Sequence, residues 1–275
     1  MKTILVPVNF SAGSDNAARY AADMALAIHA DLHLIHVLQV PVSMAEIPIS
    51  DTVFVEMQQT ASESLIRLRE ELVKRTKGQV PISSGIEVGG VEYQVEEYCS
   101  RKPPFAVIMG NSGTPMERAL AGSRVSVAIH HLPYPLIVVP ENASFHDLKR
   151  IVLACDVNDM EGGIPVAISF LKELRNIFHA RFDVVNISTR KQDRQQEAEA
   201  SFGFDLWKDR LQEIYPEVHF VRTDKLTDGI GEYLAGHPAD LLLVFPKRHS
   251  FLEFHASQAK KIAYRSSIPV MSIHA

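Results

Sequence analysis

The sequence has few of the features that mark secreted, membrane-spanning or nucleic-acid-binding proteins. Only two of its 275 residues are cysteines, too few for a disulfide framework and suited to a reducing compartment. No apolar run approaches the roughly 20 residues of a membrane-spanning helix, and the first residues lack the apolar core of a signal peptide. The net charge is −5, which disfavours general binding to nucleic acid or anionic membranes. These absences predict a soluble, cytoplasmic protein.

What the chain does contain is an internal repeat, which predicts two copies of one unit. We expect the copies at residues 1–140 and 150–275, with the polar segment ENASFHDLKR between them. The alternative explanation for the matches between the two halves is that strands of any α/β protein resemble one another. Four pairs of segments match in the same order: ILVPVN (4–9) with IVLACD (151–156), IHADLHLIHV (28–37) with FHARFDVVNI (178–187), EEYCSRKPPFAVIMG (96–110) with GEYLAGHPADLLLVF (231–245), and YPLIVVP (134–140) with IPVMSIH (268–274).

Each copy alternates short apolar runs with stretches of helical periodicity. The apolar runs TILVPV, DLHLIHV, FAVIMG and PLIVVP do not alternate with polar residues, which is typical of strands buried on both faces of a parallel sheet. This order predicts an α/β fold, with an open, doubly wound parallel sheet and helices on both faces in each unit. The first predicted helix begins near Ser14-Asp15, and the second spans about 52–77. The other predicted helices cover the segments VEYQVEEYCSR, SRVSVAIHH and IPVAISFLKELRNIF and the residues from about 192 to 215.

A ligand is expected at the carboxyl ends of the strands, where the strand order of an open sheet reverses. One of these strand ends opens the stretch GNSGTPMERALAGSRVSVAIHH, in which Gly110 and Gly113 would let the backbone approach an anion closely. Gly122-Ser123 would begin a helix whose free N–H groups favour phosphate. The alternative is that the glycines form ordinary turns and Ser123 an ordinary cap. The predicted strand ends are Val8-Asn9, His36-Val37 and Met109-Gly110.

These segments resemble the universal stress proteins, and the two-copy layout resembles the tandem form of that family. The quoted features are VPVNFS before a long helix, the IHV strand, and G-x2-G-x8-G-S before a further helix and a last strand. The resemblance implies a Rossmann-like, adenine-nucleotide-hydrolase-like fold with five parallel strands per unit, and ATP in the first unit. It further implies that Gly110, Gly113, Gly122 and Ser123 hold the phosphates, that Val37 and Met109 meet adenine through their backbones, that Pro7 lines the ribose edge, and that Asn9 reaches adenine or ribose.

The first unit departs from the family pattern at three places. Asn9 stands where the family usually has aspartate, so an acceptor-only group becomes a mixed donor and acceptor. Eight residues rather than nine separate Gly113 from Gly122. Pro115 removes a backbone donor inside that spacer. Nucleotide binding by this unit is therefore an expectation that needs a test.

The second unit departs further, and we predict that it binds no ATP. It keeps the family's acid as Asp156, but bulkier residues such as Phe245 and Ala256 stand in place of the glycines. The basic run 247–249 could still hold an anion, although a solvated turn is the simpler interpretation.

Other chemistry-bearing residues predict no metal or catalytic site. The twelve histidines lack the closely spaced Cys/His pairs of a zinc site, and His33 and His36 along one strand need not converge. Cys99 and Cys155 are interpreted as buried small hydrophobic residues. The long loop VSMAEIPISDTVF either covers the nucleotide crevice or packs against the other unit.

The sequence therefore predicts a nucleotide-binding stress-response sensor or regulator, not an enzyme with efficient turnover. One alternative is a scaffold or small-ligand-binding protein with both nucleotide sites lost. A second alternative is a nucleotide hydrolase or transferase that uses Asn9 or Asp156. Expected partners are an adenine nucleotide and the protein itself: the two units would form a pseudo-dimer through their last strands, and chains could also form homodimers.

Overall fold

The computed structural model describes residues 1–39, 51–111, 132–155, 164–189, 211–223, 226–245, 262 and 266–273. The chain divides into two compact units. Unit 1 comprises Met1–Ala128 and Leu136–His146, and unit 2 comprises Ile129–Pro135 and Asp147–Ala275. The domain limits of 1–140 and 150–275 stay a prediction. In the described part of the chain, no helix is both long and apolar enough to cross a membrane.

Unit 1 contains a parallel sheet with the strand order β3-β2-β1-β4-β5. This arrangement confirms the predicted α/β fold and its doubly wound sheet, because the strand order reverses after β1. The described elements are β1 (Thr3–Val8), α1 (Ala12–Ile28), β2 (Asp31–Leu38), α2 (Asp51–Arg75), β3 (Ile82–Val88), α3 (Val91–Arg101), β4 (Ala106–Gly110) and β5 (Leu136–Val139).

Unit 2 repeats the same strand order, β8-β7-β6-β9-β10, again with parallel neighbours. Each strand therefore has a counterpart in unit 1, as the internal repeat predicts. The described elements are β6 (Arg150–Cys155), α4 (Ile164–Phe178), β7 (Arg181–Thr189), a 3-10 turn (Gln212–Ile214), β8 (Glu217–Thr223), α5 (Leu226–Gly236), β9 (Leu241–Val244) and β10 (Val270–Ser272).

Burial differs between the strands of each sheet. Every residue of β4, β5 and β9 is buried, as expected for strands covered on both faces. The edge strand β3 is mostly half-exposed and has the sequence ISSGIEV. Its serines and glycine hide the apolar signal, so the periodicity of the sequence did not predict it, and only the family resemblance implied a fifth strand.

The helix ends agree with prediction at some places and not at others. Helices α3 and α4 coincide with the predicted segments. Helix α1 begins at Ala12, so the predicted start near Ser14-Asp15 is wrong. Ser11 is the N-cap, and its hydroxyl accepts a hydrogen bond from the Ser14 backbone at 3.3 Å. The predicted helix SRVSVAIHH and most of the segment 192–215 lie outside the described residues.

Helices α1 and α2 lie on the same face of the sheet and are joined by two ion pairs. The guanidinium of Arg19 on α1 binds the Glu71 carboxylate on α2 through two hydrogen bonds. One turn further along, Arg75 on α2 binds Asp23 on α1 at 2.7 and 2.8 Å. The two pairs thus have opposite polarity, with the arginine first on one helix and then on the other.

Candidate functional site

The carboxyl ends of β1, β2 and β4 form the topological switch point of unit 1. Strand β1 pairs with β2 on one side and with β4 on the other, so the crossovers to its two neighbours run on opposite faces of the sheet. A crevice in an open α/β sheet is expected at this place. The predicted residues Pro7, Asn9, Val37, Met109 and Gly110 all lie at these three strand ends.

The strand register places three of the predicted residues on one face of the sheet. Pro7 pairs with Ile35 of β2, and Leu5 pairs with Val107 of β4. Paired residues of neighbouring strands point to the same side, and successive residues alternate. The side chains of Pro7, Val37 and Met109 therefore share a face, each one close to the end of its strand.

That shared face is the one covered by α3. Leu5 also pairs with His33 on this face, and the His33 ring stacks on Tyr98 of α3 with centroids 4.6 Å apart. The His33 ring also meets the Ser83 hydroxyl at 2.8 Å. Burial, together with the charge of Lys102, lowers the pKa of His33. Both effects favour the uncharged form of the imidazole.

Gly110 points to the opposite face, toward α1. A Cβ added to Gly110 would lie 2.2 Å from the Gly13 carbonyl oxygen and 2.8 Å from the Ser14 backbone nitrogen. Both atoms belong to the backbone at the start of α1, which cannot move aside cheaply. Close helix–strand packing therefore requires a glycine at this position, and the predicted role of Gly110 at the phosphates stays a prediction.

Asn9 is held in a tight turn between β1 and α1. Its side-chain oxygen Oδ1 accepts hydrogen bonds from the Ser11 backbone N–H at 3.1 Å and the Ser11 hydroxyl at 2.7 Å. Its own backbone N–H donates to the Ser14 hydroxyl at 3.0 Å. Because a backbone N–H can only donate, the Asn9 amide must turn its oxygen to Ser11 and its nitrogen outward. Toward a ligand, Asn9 is therefore a donor.

A second feature at the strand ends, the pairing of Phe10 with His36, was not predicted. Phe10 has a φ of 61°, a left-handed conformation that is strained for a bulky residue. Its ring stacks on His36 at 4.6 Å, and Nδ1 of His36 donates to the Val8 carbonyl at 2.8 Å. The sequence feature that could have indicated this pairing is the bulky Phe10 within the turn VNFS.

Phe10 and His36 form one wall of a cavity of about 380 Å³ beside α2. His36 alternates with Val37, so the cavity lies on the opposite face of the sheet from Pro7, Val37 and Met109. Its other lining residues are Leu38, Val53, Glu56, Met57, Thr60, Ala61 and Ser64.

Several predicted residues lie outside the described part of the chain. They include Gly113, Pro115, Gly122 and Ser123 of the first unit, Asp156 and the basic run 247–249 of the second, and most of the loop before α2. Their predicted roles stay predictions. Cys99 is buried as expected, and burial raises the pKa of its thiol to about 12.

Comparison with known proteins agrees with this architecture. Residues 1–140 match the sequence profile of the universal stress protein family, and the chain belongs to that family. A universal stress protein from Archaeoglobus fulgidus DSM 4304 has a similar structure at 15% identity, with a TM-score of 0.74, over 99% of this chain and 98% of that one. A candidate universal stress protein from Pseudomonas aeruginosa UCBPP-PA14 is similar at 14% identity, with a TM-score of 0.62, over 100% and 93%. No curated protein matches the sequence significantly.

Proposed function

We propose that unit 1 binds an adenine nucleotide, with ATP as the expected ligand, and acts as a sensor or regulator. The observation that carries this proposal is the common face of Pro7, Val37 and Met109 at the switch point of the sheet. A flat aromatic base with polar edges suits this place, because the three strand ends offer backbone polar groups beside apolar side chains. The family resemblance assigns adenine to the backbones of Val37 and Met109 and the ribose edge to Pro7.

The phosphates would be held by backbone donors of the stretch from Gly110 to Ser123. With a net charge of −5, the protein does not rely on a generally basic surface to attract phosphate. Free N–H groups at the start of a helix supply local positive potential instead. At the sugar or base edge, the outward amide nitrogen of Asn9 requires a ligand atom with a lone pair.

We expect no efficient turnover of the bound nucleotide. Hydrolysis needs a group that orients or deprotonates the attacking water. Asn9 stands where the family usually has a carboxylate, and an amide cannot accept the proton. A slow loss of the γ-phosphate would therefore be incidental to binding.

Calorimetric titration of ATP into the full chain tests the proposal. We expect one site per chain, and weaker binding in Gly122→Val, because the added side chain would stand at the phosphates. Gly85→Val is the matched control, since a Cβ at Gly85 meets only the His33 ring at ordinary contact distances of 3.8 and 3.9 Å. Absent binding, or equal binding by both variants, would refute the proposal. Two equivalent ATP sites per chain would refute the prediction that unit 2 binds no ATP.

A scaffold without nucleotide is the rival function, and one observation favours it. Gly110 is accounted for by packing against the backbone of Gly13 and Ser14, so the first glycine of the motif does not require a ligand. Mass spectrometry of small molecules released from the purified protein separates the two functions. Co-purified adenine nucleotide supports the first, whereas its absence together with a flat titration supports the rival.

A further inference from the structure

The amino end of the sheet in unit 2 carries a cluster of charged and polar side chains that the nucleotide hypothesis does not use. Asp183 of β7 pairs directly with Glu217 of β8, and His219 follows two residues later on the same face. One ligand atom from each of these three residues lies within 4.8 Å of the other two. The cluster is at the opposite edge of this sheet from the strands' carboxyl ends.

Two carboxylates side by side repel one another unless a positive charge compensates them. Arg150 of β6 compensates one, since its Nε lies 2.7 Å from Oδ2 of the buried Asp183. The Tyr233 hydroxyl donates to the same oxygen at 3.0 Å. Both of these bonds end on Oδ2 of Asp183, and neither of them reaches the carboxylate of Glu217.

The imidazole of His219 supplies a nitrogen that lacks a hydrogen bond among the described residues. Its Nε2 is buried and lies 3.9 Å from Oε2 of Glu217. The ring packs against Tyr233 and His237, with centroids at 5.2 and 5.6 Å, which holds its orientation. A buried imidazole nitrogen without a hydrogen bond, beside two carboxylates, forms a donor set suited to a metal ion.

The corresponding place in unit 1 has a different chemistry. The repeat aligns Asp183 with His33, and His33 pairs with Ser83 where Asp183 pairs with Glu217. There the histidine and the hydroxyl satisfy one another at 2.8 Å. At the corresponding positions unit 2 therefore has two acidic groups in place of a histidine and a serine, and it has a histidine two residues further along its edge strand.

We propose that Asp183, Glu217 and His219 bind a divalent transition-metal ion, of which zinc is the expected example. One imidazole nitrogen and two carboxylate oxygens favour zinc over magnesium, which prefers oxygen ligands and water. The Glu217 side chain is largely exposed, so it can turn inward to reach the bonding distance of about 2 Å. Three protein ligands leave a fourth position for water.

This site was not predicted from the sequence, because its ligands do not form a short motif. Asp183 and Glu217 are brought together only by strand pairing, and the spacing of Glu217 and His219 is a common pattern. The ion pair with Arg150 orients the buried carboxylate, as outer hydrogen bonds do at many metal centres. Bound metal would tie the edge strand β8 to β7.

Zinc titration of the full, untagged chain by calorimetry tests the proposal, with cobalt absorption as a second readout of ligand number. His219→Phe keeps the aromatic packing and removes the nitrogen, and Glu217→Gln removes the charge. We expect each to weaken the tightest binding event by about tenfold or more. His237→Phe is the matched control, because it makes the same ring replacement beside Tyr233, and binding should change by less than about twofold.

Each outcome of these titrations either supports the metal site or overturns it. Loss of one zinc equivalent in His219→Phe and Glu217→Gln, but not in His237→Phe, supports the site. Absence of saturable binding, unchanged binding in His219→Phe, or equal loss in His237→Phe overturns it. The last result would show that ring packing matters rather than the His219 nitrogen. Circular dichroism of each variant establishes that the fold is intact.

Discussion

Replacing Gly110 by alanine should destabilise unit 1 although the change adds a single methyl group. The new Cβ would lie 2.2 Å from the Gly13 carbonyl oxygen and 2.8 Å from the Ser14 nitrogen, so α1 must move outward at its first turn. Overpacking of this kind costs about 1–3 kcal/mol. The movement also strains the 3.0 Å bond from the Asn9 N–H to Ser14, and a disturbed helix start adds roughly 0.5–2 kcal/mol. The two contributions together give an expected loss of about 1.5–5 kcal/mol.

Urea unfolding followed by circular dichroism measures this loss, and Gly231→Ala is the control. Gly231 lies inside α5, where a Cβ would meet nothing within 4 Å. Alanine there should stabilise the chain by about 0.5–1 kcal/mol. Hydrogen exchange in Gly110→Ala should rise first in the peptides of α1 and β4. If Gly110→Ala unfolds at the same urea concentration as the unmodified chain, the packing explanation of this glycine is wrong.

Three further predictions concern the same unit. With Cys155 replaced by alanine, Cys99 should resist a thiol reagent at about pH 8 until the protein unfolds, because burial raises its pKa to about 12; rapid labelling of the folded chain would contradict this. The pKa of His33 is lowered in the fold, so the unfolded chain binds the proton first and stability should fall as the pH drops below about 6.5. In His33→Gln that part of the pH dependence should disappear, which unfolding curves at several pH values would detect. Ser11→Ala removes the cap of α1 and should cost about 1 kcal/mol in urea unfolding, and an unchanged midpoint would refute the capping role.

Local signals in the sequence predicted much of the fold. Helix α3 ends at Arg101, before the Pro103-Pro104 pair that marked its limit. The continuous apolar run of β4 predicted a strand buried on both faces. By contrast, β3 was missed, because an edge strand can be half-polar and keep its place through pairing alone. The cap of α1 was misplaced because Ser11, Ser14 and Asp15 are all suitable cap residues, and only the hydrogen bonds of the Asn9 turn select Ser11.

The site was only partly predictable for a related reason. Strand ends can be read from apolar runs, so the positions of Val37 and Met109 at strand ends were predicted from the sequence, whereas Pro7 was implied only by the family resemblance. The nucleotide-binding roles of all three residues stay predictions. Whether the three side chains share one face of the sheet depends on the register between strands, which cannot be read from a single sequence. The strained turn at Phe10 likewise follows from its contact with His36, a residue 26 positions away in the chain.

The alternating ion pairs between α1 and α2 restrict how these helices can slide. If α2 shifted by one turn in one direction, Arg19 would meet Arg75 instead of Glu71. A shift the other way would bring Asp23 against Glu71. Exposed pairs contribute little to the free energy of unfolding, typically below about 1 kcal/mol, yet either misalignment replaces an attraction by a repulsion. These charges therefore select one axial alignment of the two parallel helices. That alignment also sets the position of α2 beside the Phe10 and His36 rings.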